Sequence, residues 1–304
     1  MYAMTIPEFG PPEVLTPAEL PLPEPGPGQV RIRVVAAGAL PIDARVRRGE
    51  FARSFTGPLP LVPGNEFAGT VDAVGPDTGG PAPGTEVLGF GTFGAYAEYV
   101  VVPADQVVPK PAAMPWEVAG GFSAQAQGAH LALSTVGVNP GDTVLVSSAA
   151  GGLGTMAVQL ARAWGAATVL GSAGERNHGY VRGLGAVPVL YGEGMAERVR
   201  VLAPQGVDAA LDSFDDDSLR QVVGIVGDPR RVVSMVSHGT ARELGLPELV
   251  GPRSASRLAE MVDLYERGLV RVHLRATLPL RDAALAHRDL DTGHGRGKIV
   301  LLTP

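Results

Sequence analysis

The sequence contains no cysteine. That excludes a disulfide framework, thiolate metal ligation and a cysteine nucleophile together. It has no basic run either, and 25 Lys and Arg against 31 Asp and Glu leave a net charge of −6, so no nucleic-acid partner is expected. Long apolar runs are missing as well. The start, MYAMTIPEFGPPEVL, has neither a positive n-region nor an apolar h-region, and EYVVVPADQVVP is broken by charge and proline, so no membrane partner is expected. These absences point to a cytoplasmic soluble protein. What is present is 304 residues, 45% hydrophobic and 18% charged, enough for a packed core in one large domain or two smaller ones.

The pattern changes near residue 115. Before it, β-rich runs (QVRIRVVAAG, FAGTVDAVG, AYAEYVVVP) alternate with turns such as PEPGPG and PDTGGPAPG, which reads as a compact β domain. After it, strands and helices alternate: TVLVSSA then LGTMAVQLARAWG, ATVLGS then RNHGYVRGLG, VPVLY then MAERVRVLA, VDAALDS then SLRQVVGIV, then RRVVSMV and SASRLAEMVDLYERG. Such alternation predicts a parallel sheet with helices on its faces. The end returns to strands in VHLRATLPL and KIVLLTP, and LGLPELVG offers a short edge strand, since Pro247 is tolerable only at an edge.

The segment TVLVSSAAGGLGTMAVQLARAWG joins a β-branched run to a helix whose apolar residues Leu153, Met156, Ala157, Leu160, Ala161 and Trp164 recur at helical spacing. Its small residues Ala149, Ala150, Gly151 and Gly152 make either a tight strand-to-helix turn or a cradle in which phosphate oxygens reach the amides at a helix N-terminus. Gly154 would allow the helix to pack closely. Ser148 stands where the commonest dinucleotide fingerprint has its first glycine, but the surrounding alternating units favour a dinucleotide. The next strand ends in Ser172, Ala173 and Gly174 with no carboxylate for the ribose hydroxyls. Glu175 follows, in a position where it can face solvent. Arg176 and Asn177 come next and suit a 2′-phosphate, which points to NADPH, unless Arg176 is an ordinary exposed residue.

In order along the chain, PEFGPPEVL, PEPGPGQVRIRVVAAG, PLPLVPGNEFAGTVDAVG, GAYAEYVVVPADQVVPKP, PGDTVLVSSAAGGLGTMAVQLARAWGA, ERNHGYVRGLGA and GRGKIVLLTP resemble the medium-chain dehydrogenase/reductase superfamily, in its zinc-free quinone oxidoreductase and enoyl reductase branch. The resemblance covers nearly the whole chain. It implies an α/β fold: a doubly wound Rossmann parallel sheet at 116–274 holding NADPH, and a split GroES-like β-barrel catalytic domain at 1–115 and 275–304. It implies that the backbone at Gly152 and Leu153 meets the diphosphate, that Arg176, Asn177 and Tyr191 line the 2′-phosphate pocket, and that Gly297 and Lys298 close over the nicotinamide side. With Ala150, Gly151, Gly154 and Ser172, these are the candidate cofactor residues.

Zinc relatives in this superfamily carry a cysteine and a G-H-E motif where this chain resembles them with Leu40 and Gly64-Asn65-Glu66. Leucine and asparagine cannot ligate zinc, and His130, His178, His238, His273, His287 and His294 show no ligand spacing, so no metal is expected. That argues against alcohol oxidation and for hydride delivery to an acceptor that is already electrophilic, a quinone or an enone, enal or enoyl thioester. The candidate substrate pocket is Leu40, Arg45, Phe51, Asn65, Phe90 and Gly128. Relatives often carry larger or more polar residues at Leu40, Phe51 and Gly128, so a larger, less polar pocket and a bulky hydrophobic acceptor, such as a secondary-metabolite intermediate, are expected. Arg45 either steers the anion of such an acceptor or points to solvent. Asp43 reads as structural, Tyr96 as barrel packing, and no general acid is evident. A homodimer is expected. An NADPH-binding sensor or a non-redox enzyme, such as a cyclase, would use the same scaffold.

Overall fold

The computed structural model describes residues 1–51 and 58–304, and the chain divides into two compact units. The first comprises 1–124, 254–262 and 274–304, and the second 125–253 and 263–273.

In the first unit, turns cut the chain into β1 (Tyr2–Thr5), β2 (Thr16–Glu19), β3 (Gln29–Ala39), β4 (Glu66–Val74), β5 (Glu86–Phe90), β6 (Tyr99–Pro103) and β7 (Val107–Pro109). Helix α1 (Pro41–Arg47) follows β3, and α2 (Trp116–Gly120) follows β7. Strand β3 is the hub. Its alternation buries Val30, Ile32 and Val34 while Arg33 faces water, and from Ala36 to Ala39 every residue is buried. One edge of β3 pairs with β4; the other is shared by β6 along Gln29–Arg33 and by the last strand along Ala36–Ala39. Two strands meeting end to end on one edge let the sheet wrap around a single core that contains Ile32, Phe67, Val71, Tyr96 and Ile299.

Helix α3 (Ser123–Thr135) leads into the second unit, which alternates β8 (Thr143–Val146), α4 (Gly152–Ala163), β9 (Thr168–Ala173), α5 (His178–Gly183), β10 (Val187–Leu190), α6 (Met195–Leu202), β11 (Ala209–Asp212), α7 (Asp216–Ile225), β12 (Val232–Ser234) and α8 (His238–Glu243). The strands form a parallel sheet in the order β10-β9-β8-β11-β12. All four residues of β8 and of β11 are buried, as expected for central strands covered on both faces. The order reverses between β8 and β11, and right-handed crossovers then place the two sets of helices on opposite faces. One face holds a core of Leu145, Leu170, Met195, Val199, Leu219 and Val222. Each large aliphatic side chain fully buried there contributes about 1.5–3 kcal/mol.

The chain continues through α9 (Ala255–Glu266) to β13 (Leu274–Pro279), α10 (Ala283–Asp291) and β14 (Lys298–Leu302), the last strand, which returns to β3. The edge strand expected at LGLPELVG does not form. Pro247 has no amide to donate, Leu246 turns into the core, and Val250 donates its amide to the hydroxyl of Thr135 at 3.1 Å.

Candidate functional site

In the second unit, the loop after β8 is held on both sides by its neighbours. Ser147 donates its amide to the carbonyl of Leu211 in β11, and Ala149 donates to that of Ser172 in β9, each at 2.9 Å. Ser148 takes a left-handed φ of 51°, and Gly151 then donates back to its carbonyl at 2.9 Å. A Cβ on Gly154 would lie 2.2 Å from that carbonyl oxygen and 2.7 Å from Cα of Ala149, so only glycine lets the first turn of α4 sit against the loop. The N-cap is Gly151, which has no side chain with which to cap the helix. The amides of Gly152, Leu153 and Gly154 therefore point out of the first turn without an intrahelical acceptor, at the positive end of a twelve-residue helix dipole.

Asp212, at the end of β11, fastens this loop from below. It accepts the hydroxyls of Ser147 at 2.8 Å and Ser218 at 2.7 Å, while Ser147 Oγ accepts the amide of Ser213 at 2.8 Å. Burial raises the Asp212 pKa, against the hydrogen bonds from Ser218 and Ser147 that favour its charge. The aspartate closing VDAALD was its only trace in the sequence.

The cofactor candidates Ser172, Arg176, Asn177 and Tyr191 lie along the same C-terminal edge of the sheet. Ser172 is buried in β9; Arg176 is exposed and Asn177 half-buried in the turn that follows it. Tyr191 follows β10 and reaches back to that turn, its Cε1 within 3.5 Å of where a Cβ on Gly174 would be. Its ring lies 5.6 Å from that of Phe214, and both rings are about two-fifths exposed (42% and 41%), an aromatic pair that sequence reading overlooked. Gly128 belongs to α3, where a Cβ would meet Leu153 Cδ1 at 2.9 Å, so the room this glycine leaves is occupied by Leu153.

In the first unit, Leu40 precedes α1 and donates its amide to Asp43 at 3.0 Å. Asn65 Nδ2 donates to the other Asp43 oxygen at 2.6 Å, which brings Leu40 and Asn65 to one buried carboxylate. Asp43 is fully buried and its pKa is pushed up to about 6 by burial, against the hydrogen bonds from Asn65 and Leu40. Tyr96 Oη donates to Asp43 at 3.3 Å and lies 3.1 Å from His287 Nε2. With Asp43 ionised, His287 is the Nε2–H tautomer that donates to the Tyr96 oxygen, and its buried Nδ1 has no hydrogen-bond partner among the described residues. Burial, then the nearby Arg47 guanidinium, pushes the His287 pKa down to about 3. Tyr96 is thus both barrel packing, as expected, and the link of a buried polar chain.

Arg45 is half-buried, with its Nε 2.6 Å from Glu50 and its guanidinium 4.8 Å from the Phe51 ring centroid. Its guanidinium is therefore paired with Glu50, which also holds Arg48. Phe90 is buried at the end of β5, in register with Glu66. Gly297 turns with φ 65° into β14, and Lys298 forms a buried ion pair with Glu66, which also accepts the amide of Ala124 at 2.6 Å. A Cβ on Gly38 or Gly121 would collide with Glu66 or Lys298, so two glycines make the room for that pair.

These donors do not suit a metal ion. The Asn65 amide donates to Asp43, Glu66 is held by Lys298, and among the described residues no group of three or more His, Cys, Asp or Glu could hold one. Among the described residues, no helix is long and apolar enough to cross a membrane.

A parallel sheet with a glycine loop at its reversal point, and a separate β unit of the GroES-like type, define a two-domain dehydrogenase or reductase. Residues 26–112 match the alcohol dehydrogenase GroES-like domain, and residues 184–301 match the family described as zinc-binding dehydrogenase. The chain is 30% identical to the quinone oxidoreductase of Coxiella burnetii, with a TM-score of 0.90, over 100% of this chain and 99% of that one. It is 29% identical to the mouse quinone oxidoreductase over 99% of this chain and 98% of that protein. A mycobacterial structure solved as a complex with NADPH is 30% identical, with a TM-score of 0.85, over 99% of this chain and 100% of that one. The protein belongs to the medium-chain dehydrogenase/reductase superfamily, in its quinone oxidoreductase and enoyl reductase branch, and is an oxidoreductase.

Proposed function

We propose that this protein is a zinc-independent, NADPH-dependent reductase whose acceptor is a quinone or an α,β-unsaturated carbonyl compound, with a bulky secondary-metabolite intermediate as one such acceptor. The observation that carries this reading is the uncapped N-terminus of α4 above a loop closed by Gly154, a cradle shaped for a diphosphate. NADPH supplies a hydride when bound. In this reading Gly152 and Leu153 bind the diphosphate through their amides, with Ala150, Gly151 and Gly154 forming the cradle and Ser172 at its side. Arg176, Asn177 and Tyr191 hold the 2′-phosphate, where a guanidinium gives a charge-assisted contact that NADH cannot make. The relatives' names, quinone oxidoreductase, and the mycobacterial complex with NADPH support the same choice of acceptor and cofactor.

Zinc does not enter, because the side chains around Asn65 are amide, aliphatic or already paired. The acceptor's walls are assigned to Leu40, Phe51, Asn65 and Phe90, with Arg45 packed over Phe51 and Gly128 giving Leu153 its place. The residues 1–115 and 275–304 would form the catalytic domain and 116–274 the cofactor domain. Cofactor titration followed by protein fluorescence tests the choice of NADPH. Saturable NADPH binding at least tenfold tighter than NADH, unchanged after dialysis against a chelator, is the expected result; equal affinities, or binding that the chelator abolishes, would refute it.

A further inference from the structure

The second unit has an open cleft of about 690 Å³ away from the glycine loop. Three stretches line it: the C-terminal half of α4, with Gln159, Arg162 and Ala163; α5 and its end, with Tyr180 and Leu184; and residues 268–273, with Leu269, Arg271 and His273. Arg162 lies ten residues after the start of α4, about 15 Å along the helix axis from the cradle. The lining contains two arginines and a histidine but no carboxylate, in a chain whose net charge is −6.

The cations are held by neighbours that leave their charge unneutralised. Gln159 brackets the backbone of Arg271, accepting its amide and donating to its carbonyl, each at 3.0 Å. The Arg271 guanidinium itself makes no hydrogen bond or ion pair among the described residues. Arg162 lies over Gly185, whose hypothetical Cβ would fall 1.6 Å from Nη1, and gives one hydrogen bond to the carbonyl of Leu184 at 3.3 Å. It has no carboxylate partner among the described residues. Beside these cations are apolar surfaces: Leu269 is 40% exposed, and the Tyr180 and His273 rings lie 5.0 Å apart. Guanidinium donors beside an aromatic and aliphatic wall suit a ligand with an oxyanion at one end and an apolar body at the other.

We propose that this cleft is a second binding site, separate from the dinucleotide cradle, for an organic oxyanion: a phosphate monoester or carboxylate on an apolar or aromatic body. Tyr180 Oη lies 3.0 Å from Thr155 Oγ1, Gln159 Nε2 donates to the Thr155 carbonyl at 3.0 Å, and Thr155 donates its amide to the carbonyl of Gly151, so the cleft meets the first turn of α4 at Thr155.

The test is calorimetric titration of the full chain with phenyl phosphate, benzoate, inorganic phosphate and benzyl alcohol, after NADPH binding has been measured on the same sample. With NADPH saturating, phenyl phosphate is expected to bind with one-to-one stoichiometry, more tightly than inorganic phosphate, while benzyl alcohol gives no saturable heat. Arg162→Ala and Arg271→Ala should each weaken phenyl phosphate tenfold or more and leave NADPH binding unchanged, and Leu269→Glu should weaken it by like-charge repulsion. Absence of NADPH binding would count against the cofactor reading alone, and the cleft would then be judged by the same variants without NADPH. No saturable binding of phenyl phosphate, equal binding of benzyl alcohol, or affinities that the arginine variants leave unchanged would overturn the proposal.

Discussion

Acidification should expose two opposing protonation equilibria inside the first unit. His287 is neutral when folded, its pKa pushed down to about 3 by burial and by Arg47, from an ordinary value of 6.5. Its contribution is complete above pH 6.5 and is lost as pH falls toward 3, because the unfolded chain takes up the proton first. Asp43 behaves in the opposite sense. Burial raises it from 3.8 to about 6, so the folded chain takes up the proton first, and stability is gained as pH falls from 6 toward 3.8. Each slope approaches about 1.4 kcal/mol per pH unit, so between pH 6 and 4 the two changes, about 2–3 kcal/mol each, nearly cancel in the native protein. Substituting one group exposes the other. Relative to the native chain, His287→Gln should gain about 2–3 kcal/mol between pH 6 and pH 4, and Asp43→Asn should lose about as much. Urea unfolding at pH 4, 5, 6 and 7 measures this, since lost hydrogen bonds give offsets that do not vary with pH and every other titrating group is shared. Stability curves of native and variant proteins that run parallel from pH 6 to 4 would refute the neutral histidine or the raised carboxyl, according to which variant fails.

Gly154→Val places a side chain on the Ser148 carbonyl; a melting shift equivalent to about 1–3 kcal/mol and at least tenfold weaker NADPH binding in a fluorescence titration are expected. Arg176→Ala should weaken NADPH by ten- to a hundredfold, about 1.5–3 kcal/mol for charge-assisted contacts, and leave NADH unchanged in the same titration. Lys298→Met strands the buried Glu66 carboxylate and should cost about 3–5 kcal/mol in urea unfolding, most of it recovered in the Lys298→Met/Glu66→Met double variant.

The alternation of strand and helix in the second unit was readable because β8 and β11 carry the apolar runs Val144–Val146 and Ala209–Leu211 and α4 keeps Met156, Ala157, Leu160 and Ala161 on one face. Gly154 was readable as a close-packing position, although what it packs against is the loop at Ser148 and Ala149. Helix α1 went unforeseen despite a proline at its first turn and Asp43 accepting from Leu40. Helix α10 carries Ala283, Ala286, His287 and Leu290 at helical spacing, but two alanines and a histidine make a faint apolar stripe. The chain Asn65, Asp43, Tyr96, His287 was hidden because its members come from four distant segments that only the barrel brings together. The pairing of Arg45 with Glu50 was closer in sequence, yet composition alone does not tell which carboxylate an arginine meets. At LGLPELVG the apolar residues suggested a strand, and the missing amide of Pro247 decided otherwise.

The most direct test of hydride delivery is loss of NADPH absorbance by the chelator-treated protein, with NADH alongside, against an ortho-quinone, a para-quinone, an enal and an enoyl thioester. Turnover of at least one acceptor with NADPH, at least tenfold faster than with NADH and undiminished by chelation, is the expected result. Tight NADPH binding without oxidation in the presence of any of the four, or activity that returns only with added zinc, would contradict it.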